Sequence, residues 1–210
     1  MMQKIGIIGA GRLGTALARG LSKAGYDVAI SNSRDAASLT LQLSILLPDV
    51  SAKDTRELID WADIVVLALP LRKFTELLGE LFDSKIVVDA MNYWSPVDSK
   101  LPEFDEYANS SSQLVAQIVP NATVIKTFNS VAYGEIEEMT AGSGDMTSRA
   151  MAIAGDDQSS KAIVSRMVEA LGFEPVDAGL LENGTRFEPG TTLFDARLSK
   201  DQMIDLLKKV

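Results

Sequence analysis

Short apolar runs alternate along the chain with stretches in which apolar residues return every three to four positions. That alternation is the pattern of successive β-α units rather than of hairpins or a helix bundle. Lys4–Ile8 reads as a buried strand, 13–24 as a helix and 27–30 as a second strand, all within the roughly 30 residues of a βαβ start. The alternation continues with a brief strand at Val50–Ala52, a helix at Thr55–Trp61 capped by Asp54, a buried strand at 64–69 and a helix at 73–81. A strand at Ile86–Asp89 comes next, then a loop at 92–107 rich in Pro, Ser and Asp. A helix from about 110 to 118 stops at Pro120 and leads to a strand at 123–127.

The Gly and Ser content of 139–149 reads as a loop, after which 150–154, 159–171 and 174–177 form a further β-α-β unit expected to extend the same sheet. Residues 179–210 are too few for another domain. The predicted fold is therefore α/β: a Rossmann-type, doubly wound, mostly parallel sheet with a short C-terminal β-α extension. The length of 210 residues suits a single domain, with a core at 1–138 and the extension at 150–210.

Composition narrows the chemistry. The formal charge of −9 opposes binding to nucleic acid or anionic lipid, so no nucleic-acid or membrane partner is expected. The longest apolar stretch, 64–71, is far below the roughly 20 residues of a membrane-spanning helix. The first residues lack the pattern of a signal peptide, which makes the cytoplasm the expected compartment. The sequence holds no His and no Cys, which removes thiolate catalysis, the Ser-His-Asp triad and Cys or His metal sites. No metal site is expected. The charge run 135–138 reads as a solvated face.

Gly9-Ala10-Gly11-Arg12-Leu13-Gly14 fits G-x-G-x-x-G between a strand and a helix. There Gly9 permits the tight turn, Gly11 lets a pyrophosphate approach the backbone, and Gly14 lets helix and strand pack closely. The second strand ends in Ser31-Asn32-Ser33-Arg34, donors and a guanidinium in the place where NAD-specific proteins keep an acid. That favours NADP(H), with Arg12 as a further cation beside the phosphates. Ala68, Leu69 and Pro70 end one strand, and Ala90, Met91 and Asn92 follow the end of the next; both groups fall at the carboxyl edge where such sheets bind ligands. Tyr93 and Trp94 offer a flat wall there, and Phe128, Asn129 and Tyr133 follow the next strand as further substrate-side candidates. Lys126 reads as a solvated strand end rather than a proton donor, and no residue is assigned as catalytic.

The chain resembles the NADP oxidoreductases that depend on the deazaflavin coenzyme F420, to which the cytoplasmic reductase domains of membrane ferric reductases are related. The resemblance runs through residues 7–14, 31–34, 63–70 and 85–92, the helix near Ser111, and Pro175-Val176-Asp177-Ala178-Gly179. It implies that the 2′-phosphate of NADP(H) is held by Asn32, Ser33 and Arg34, and that hydride passes between the nicotinamide and a flavin-like ring. Such a transfer depends on stacking and distance rather than on a strong base. Residues 91–94 and 182–194 depart from the family pattern, so F420, FMN, FAD, a quinone or a small carbonyl compound remain open as the acceptor. The alternatives are an NADPH-dependent carbonyl or imine reductase and a non-catalytic NADP(H)-binding sensor. The expected partner is a small-molecule acceptor, with association into a homodimer left open.

Overall fold

Ile5, Ile7 and Ile8 leave no face of the first strand polar, and a strand apolar on both faces requires helices on both sides of its sheet. The computed structural model describes residues 3–33, 36–77, 79–94, 104, 110–142 and 149–209. Its strands are β1 (Lys4–Ile8), β2 (Asp27–Ser31), β3 (Val50–Ala52), β4 (Ile64–Leu67), β5 (Ile86–Asp89), β6 (Thr123–Lys126), β7 (Ala150–Gly155) and β8 (Glu174–Gly179). They form one eight-stranded sheet in the order β3-β2-β1-β4-β5-β6-β7-β8. All neighbouring pairs are parallel except β6 with β7. The order reverses between β1 and β4, which opens a crevice at their carboxyl ends.

The helices are α1 (Arg12–Lys23), α2 (Ala36–Leu46), α3 (Thr55–Trp61), α4 (Leu71–Phe74), α5 (Ser111–Ile118), α6 (Tyr133–Ala141), α7 (Gln158–Ala170) and α8 (Lys200–Leu207). Alternate side chains of the central strands feed two cores. Ile5, Ile7, Val66 and Val88 meet Leu17 and Leu21 of α1 and Val164 of α7 on one face. Ile8, Val65 and Val87 meet Leu58 of α3, Phe74 of α4 and Val115 of α5 on the other. A smaller third cluster, with Ala152, Val176, Phe187 and Met203, lies between β7, β8 and the C-terminal segment. The doubly wound, mostly parallel sheet expected from the sequence is thus observed.

Several local features differ from the sequence reading. Residues 36–46 form a helix that the pattern did not reveal, because Leu39, Leu41, Leu43 and Ile45 alternate at the period of a strand. Leu39 and Leu43 are buried there, whereas Leu41 and Ile45 are 74% and 73% exposed. The segment 73–81 is not one helix: α4 ends at Phe74, and a 3₁₀ turn occupies Gly79–Phe82. Helix α6 extends to Ala141, into the segment read as a loop, whose residues 143–148 lie outside the described ones.

The run 135–138 is not uniformly solvated. Glu135 is buried and paired with buried Arg149, and Arg197 approaches the same carboxylate at 3.2 Å. Burial pushes the Arg149 guanidinium down to about 10, still well above neutral pH. Glu135→Ala is therefore expected to lower stability in urea unfolding by about 3–5 kcal/mol, the range for leaving a buried charge without its partner. Glu138 pairs with Arg197 at 3.7 Å on the surface. Its alanine variant should change stability by about 0–1 kcal/mol. Equal effects at the two positions would show that Glu135 is solvated after all.

Candidate functional site

The turn from β1 into α1 is shaped by backbone proximity. Gly9 has φ +120°, and a Cβ placed on it would lie 2.2 Å from the carbonyl oxygen of Ala68. A Cβ on Gly14 would lie 1.9 Å from the carbonyl oxygen of Gly9. Both positions need glycine for packing alone. Gly11 is different: among the described residues a Cβ there would meet nothing within 4 Å, so its missing side chain leaves open space at the amino end of α1. Gly11 is the N-cap of this 12-residue helix and no described side chain caps it, which leaves first-turn N–H groups for an anion. The Gly9 N–H donates to the Ser31 carbonyl at 2.9 Å and the Ala68 N–H to the Ile8 carbonyl at 2.9 Å, fixing the ends of β2 and β4 beside the turn.

These strand ends surround a cavity of about 690 Å³, within the range of small-molecule and cofactor sites. Gly9, Ala10 and Gly11 form its floor, Asn32 and Ser33 one wall, and Ala68, Leu69 and Pro70 the other. Sequence reading missed Leu39 and Gln42 of α2, Thr55 of α3, and Lys73, Glu76 and Leu77, which also line it. Their only signal was position just after the ends of β2, β3 and β4. Ser31 is fully buried and outside the lining; its hydroxyl accepts from the Thr55 hydroxyl at 3.2 Å, which ties β2 to α3. Arg34 lies outside the described residues.

Arg12 projects from the exposed start of α1, and its Nη1 donates to the Tyr133 hydroxyl at 3.0 Å while its guanidinium carbon lies 5.3 Å from the ring centre. The contact brings the Arg12 guanidinium from the glycine turn to Tyr133, which is 39% exposed. Leu13 is half-buried and packs on the core.

Ala90, Met91 and Asn92 lie beyond the cavity lining. Ala90 and Met91 are buried, whereas Asn92 is half-buried and forms a reciprocal pair with Asn129. The Asn92 Nδ2 donates to the Asn129 carbonyl at 2.8 Å, and the Asn129 Nδ2 donates to Asn92 Oδ1 at 3.1 Å and to the Phe187 carbonyl at 2.9 Å. Phe128 does not face the edge as expected. It is fully buried at φ +66°, where the turn after β6 sends its ring into the core. Asn129 is likewise almost wholly buried. Tyr93 packs on Phe104 with ring centres 5.7 Å apart, and Trp94 is 50% exposed, edge to face with Phe194 at 6.4 Å. Phe194 is a neighbour that sequence reasoning did not supply.

Lys126 is the largest correction. It is wholly buried rather than solvated, because the segment Leu181–Phe187 and the start of α5 cover the end of β6. Its Nζ lies 3.4 Å from Asp89 Oδ2 and 3.4 Å from Glu188 Oε1.

Residues 4–93 match the family model described as NADP oxidoreductase, coenzyme F420-dependent. Over nearly its whole length the chain is also similar to the solved structure of the hypothetical protein SMa0349 from Sinorhizobium meliloti, with 31% identity, a TM-score of 0.80, and coverage of 95% of this chain and 97% of that one. Through residues 4–93 the chain belongs to the F420-dependent NADP oxidoreductase family. Among curated proteins, the chain is 28% identical to Metalloreductase STEAP3 of Rattus norvegicus over 187 residues, 88% of this chain and 36% of that protein. It spans about a third of the length of the curated relatives it matches. A solved Arthrobacter structure, described as a candidate F420-dependent NADP-reductase, shares the fold with TM-score 0.68 at 23% identity, covering 84% of each chain. Among the described residues no helix is long and apolar enough to cross a membrane.

The open space at Gly11 yields a clean test. Gly11→Val should fold normally, since nothing described surrounds the added side chain, and should lose NADPH binding because that side chain fills the phosphate's place. Unchanged circular dichroism with no heat of NADPH binding is the expected pair of results. Retained binding would refute the placement of the pyrophosphate.

Proposed function

We propose that this family member is an NADP(H)-dependent oxidoreductase that passes hydride between the nicotinamide and a small planar acceptor, a flavin-like ring such as F420, FMN or FAD. The observation that carries the reading is the continuity of the open Gly11 floor with a cavity whose β2 wall is Asn32 and Ser33. Among the described residues the one carboxylate on that lining, Glu76, is held by Lys73 at 2.9 Å. A 2′-phosphate beside Asn32 and Ser33 meets hydrogen-bond donors there instead of the acid that selects NAD.

The chain's own residues divide the work. The backbone of residues 9–11 and the start of α1 bind the pyrophosphate, with Arg12 close by on Tyr133. The pair of Asn92 and Asn129 stiffens the loops beyond β5 and β6 that border the nicotinamide. NADP(H) itself supplies the hydride chemistry. Trp94 and Tyr133 are exposed at the far side, which favours an enzyme that admits a second molecule over a sealed sensor. Burial of Lys126 among carboxylates removes it as a proton donor to a carbonyl or imine, and favours an acceptor ring over those substrates.

Calorimetric titration with NADPH and NADH tests the cofactor assignment. The protein should prefer NADPH, and Ser33→Asp should weaken NADPH about ten-fold or more, equivalent to about 1.4 kcal/mol, by setting a carboxylate against the phosphate. NADH binding should be unchanged or improved. Equal losses for both cofactors would overturn the assignment.

A further inference from the structure

The carboxyl ends of β5 and β6 carry a buried charge cluster to which cofactor binding assigns no task. Asp89 and Lys126 are register partners, and both are wholly buried. The Lys126 Nζ donates to the Ser111 hydroxyl at 3.2 Å and to the Met91 carbonyl at 3.4 Å, with Asp89 Oδ2 and Glu188 Oε1 each at 3.4 Å. Asp89 Oδ1 accepts the Met91 N–H at 2.9 Å, and its Oδ2 accepts the Ser112 hydroxyl at 2.5 Å. Glu188 Oε1 accepts the Ser111 N–H at 2.9 Å and the Ser111 hydroxyl at 2.7 Å.

Asp89 and Lys126 thus grip the two sides of Met91, its N–H and its carbonyl, and their formal charges cancel. Glu188 is in excess. It arrives from the C-terminal segment, directly after Phe187, whose carbonyl holds the Asn129 amide. One ammonium facing two carboxylates leaves a formal charge of −1 beneath the loop at Met91 and Asn92. A side chain only 19% exposed keeps most of that charge away from solvent screening.

Resting on the proposed function, which sets the nicotinamide against this loop, we infer that Glu188 stabilises the oxidised, cationic nicotinamide relative to the reduced, neutral one. Hydride loss breaks the C4–H bond of the dihydronicotinamide and delivers its electron pair with the hydrogen to the planar acceptor. The acceptor is reduced, and the nicotinamide is oxidised and gains one positive charge. That charge develops in the transition state, so a fixed negative charge nearby lowers the barrier to hydride donation without touching the reacting atoms. Glu188 acts through the field under the loop and is a positioning residue in this sense, not a catalytic one.

The test compares dissociation constants for NADP⁺, NADPH and adenosine 2′,5′-bisphosphate, which lacks the nicotinamide, on the full chain. Glu188→Gln, nearly isosteric, should weaken NADP⁺ about five- to ten-fold relative to NADPH, on the scale of a unit-charge interaction through a partly screened interior. Affinity for the bisphosphate should stay within about two-fold of wild type, since its site lies at the other end of the cofactor. The double variant Lys126→Gln, Glu188→Gln leaves only Asp89 charged, again −1, and should return the NADP⁺ to NADPH ratio to within about two-fold of wild type. It decides the matter even where the single variant fails to fold.

Equal weakening of both redox forms by Glu188→Gln, or no change in their ratio, would overturn the inference. So would a double variant with a ratio shifted five-fold or more. Wild-type protein that does not bind adenosine 2′,5′-bisphosphate would refute the NADP(H) reading instead.

Discussion

The carbonyl oxygen of Ala68 stands where a side chain on Gly9 would have to be, and the carbonyl oxygen of Gly9 stands where one on Gly14 would have to be. This double contact sets how near the ends of β1 and β4 and the first turn of α1 approach each other. Once the strand ends are held at that distance, the crevice at the switch between β1 and β4 has a backbone floor, and polar side chains occupy only its walls. Gly11 lies in the same turn under no packing demand, so its lack of a side chain is explained by the space above it rather than by its neighbours. A glycine that packing does not require points to a ligand more directly than one that packing does.

An acidic chain handles its buried cations in a consistent way. Lys126, Arg149 and Lys161 are each almost wholly buried, and each has a carboxylate partner: Asp89 and Glu188, Glu135, and Asp177 respectively. Two of these ties join the parallel strands β1 to β6 and their helices to the C-terminal third of the chain. Glu188 reaches back to the end of β6, and Arg149 at the start of β7 reaches α6. Hydrophobic burial alone would hold these parts together without fixing their register, because it is non-directional. Paired charges, costly when misaligned, discriminate among relative positions.

The elements legible in the sequence were those whose evidence is local. The βαβ start, the glycine turn and the central strands each declare themselves within a few residues, and their placement at one sheet edge follows from topology. Helix α2 was hidden because Leu39, Leu41, Leu43 and Ile45 mimic a strand's period, and among the described residues no tertiary partner covers Leu41 or Ile45 to complete a helical stripe. The burial of Lys126 was illegible for another reason. Its partners come from Asp89, Ser111 and Glu188, on three separate elements, and nothing in the residues around position 126 announces them. Phe128 misled because an aromatic residue just past a strand ordinarily sits at the edge, whereas a positive φ at that residue turns the ring inward. The cavity's second wall at Lys73 and its α2 side at Gln42 depend on how α4 and α2 pack, which no short motif encodes.

The reversal at β7 leaves a narrow seam. Backbone pairing between β6 and β7 is confined to Ile125 with Gly155 and Lys126 with Ala154, with the Thr127 hydroxyl adding a stitch to the Ala152 carbonyl at 2.9 Å. From that seam residues 150–153 run on past the carboxyl edge of the parallel strands for about 13 Å, at roughly 3.3 Å per residue. They carry with them the small core that includes Phe187 and Leu193, next to Glu188 and Phe194. Side chains widen the hold of the seam: Met151 and Ile153 of β7 and Val164 of α7 share one core with Leu17 and Leu21 of α1, and Arg149 pairs with Glu135 of α6. Glu188 and Phe194 therefore reach Lys126 and Trp94 from a support fixed by that core as well as by the seam, so changes in the packing between α1 and α7 are transmitted to both contacts at once.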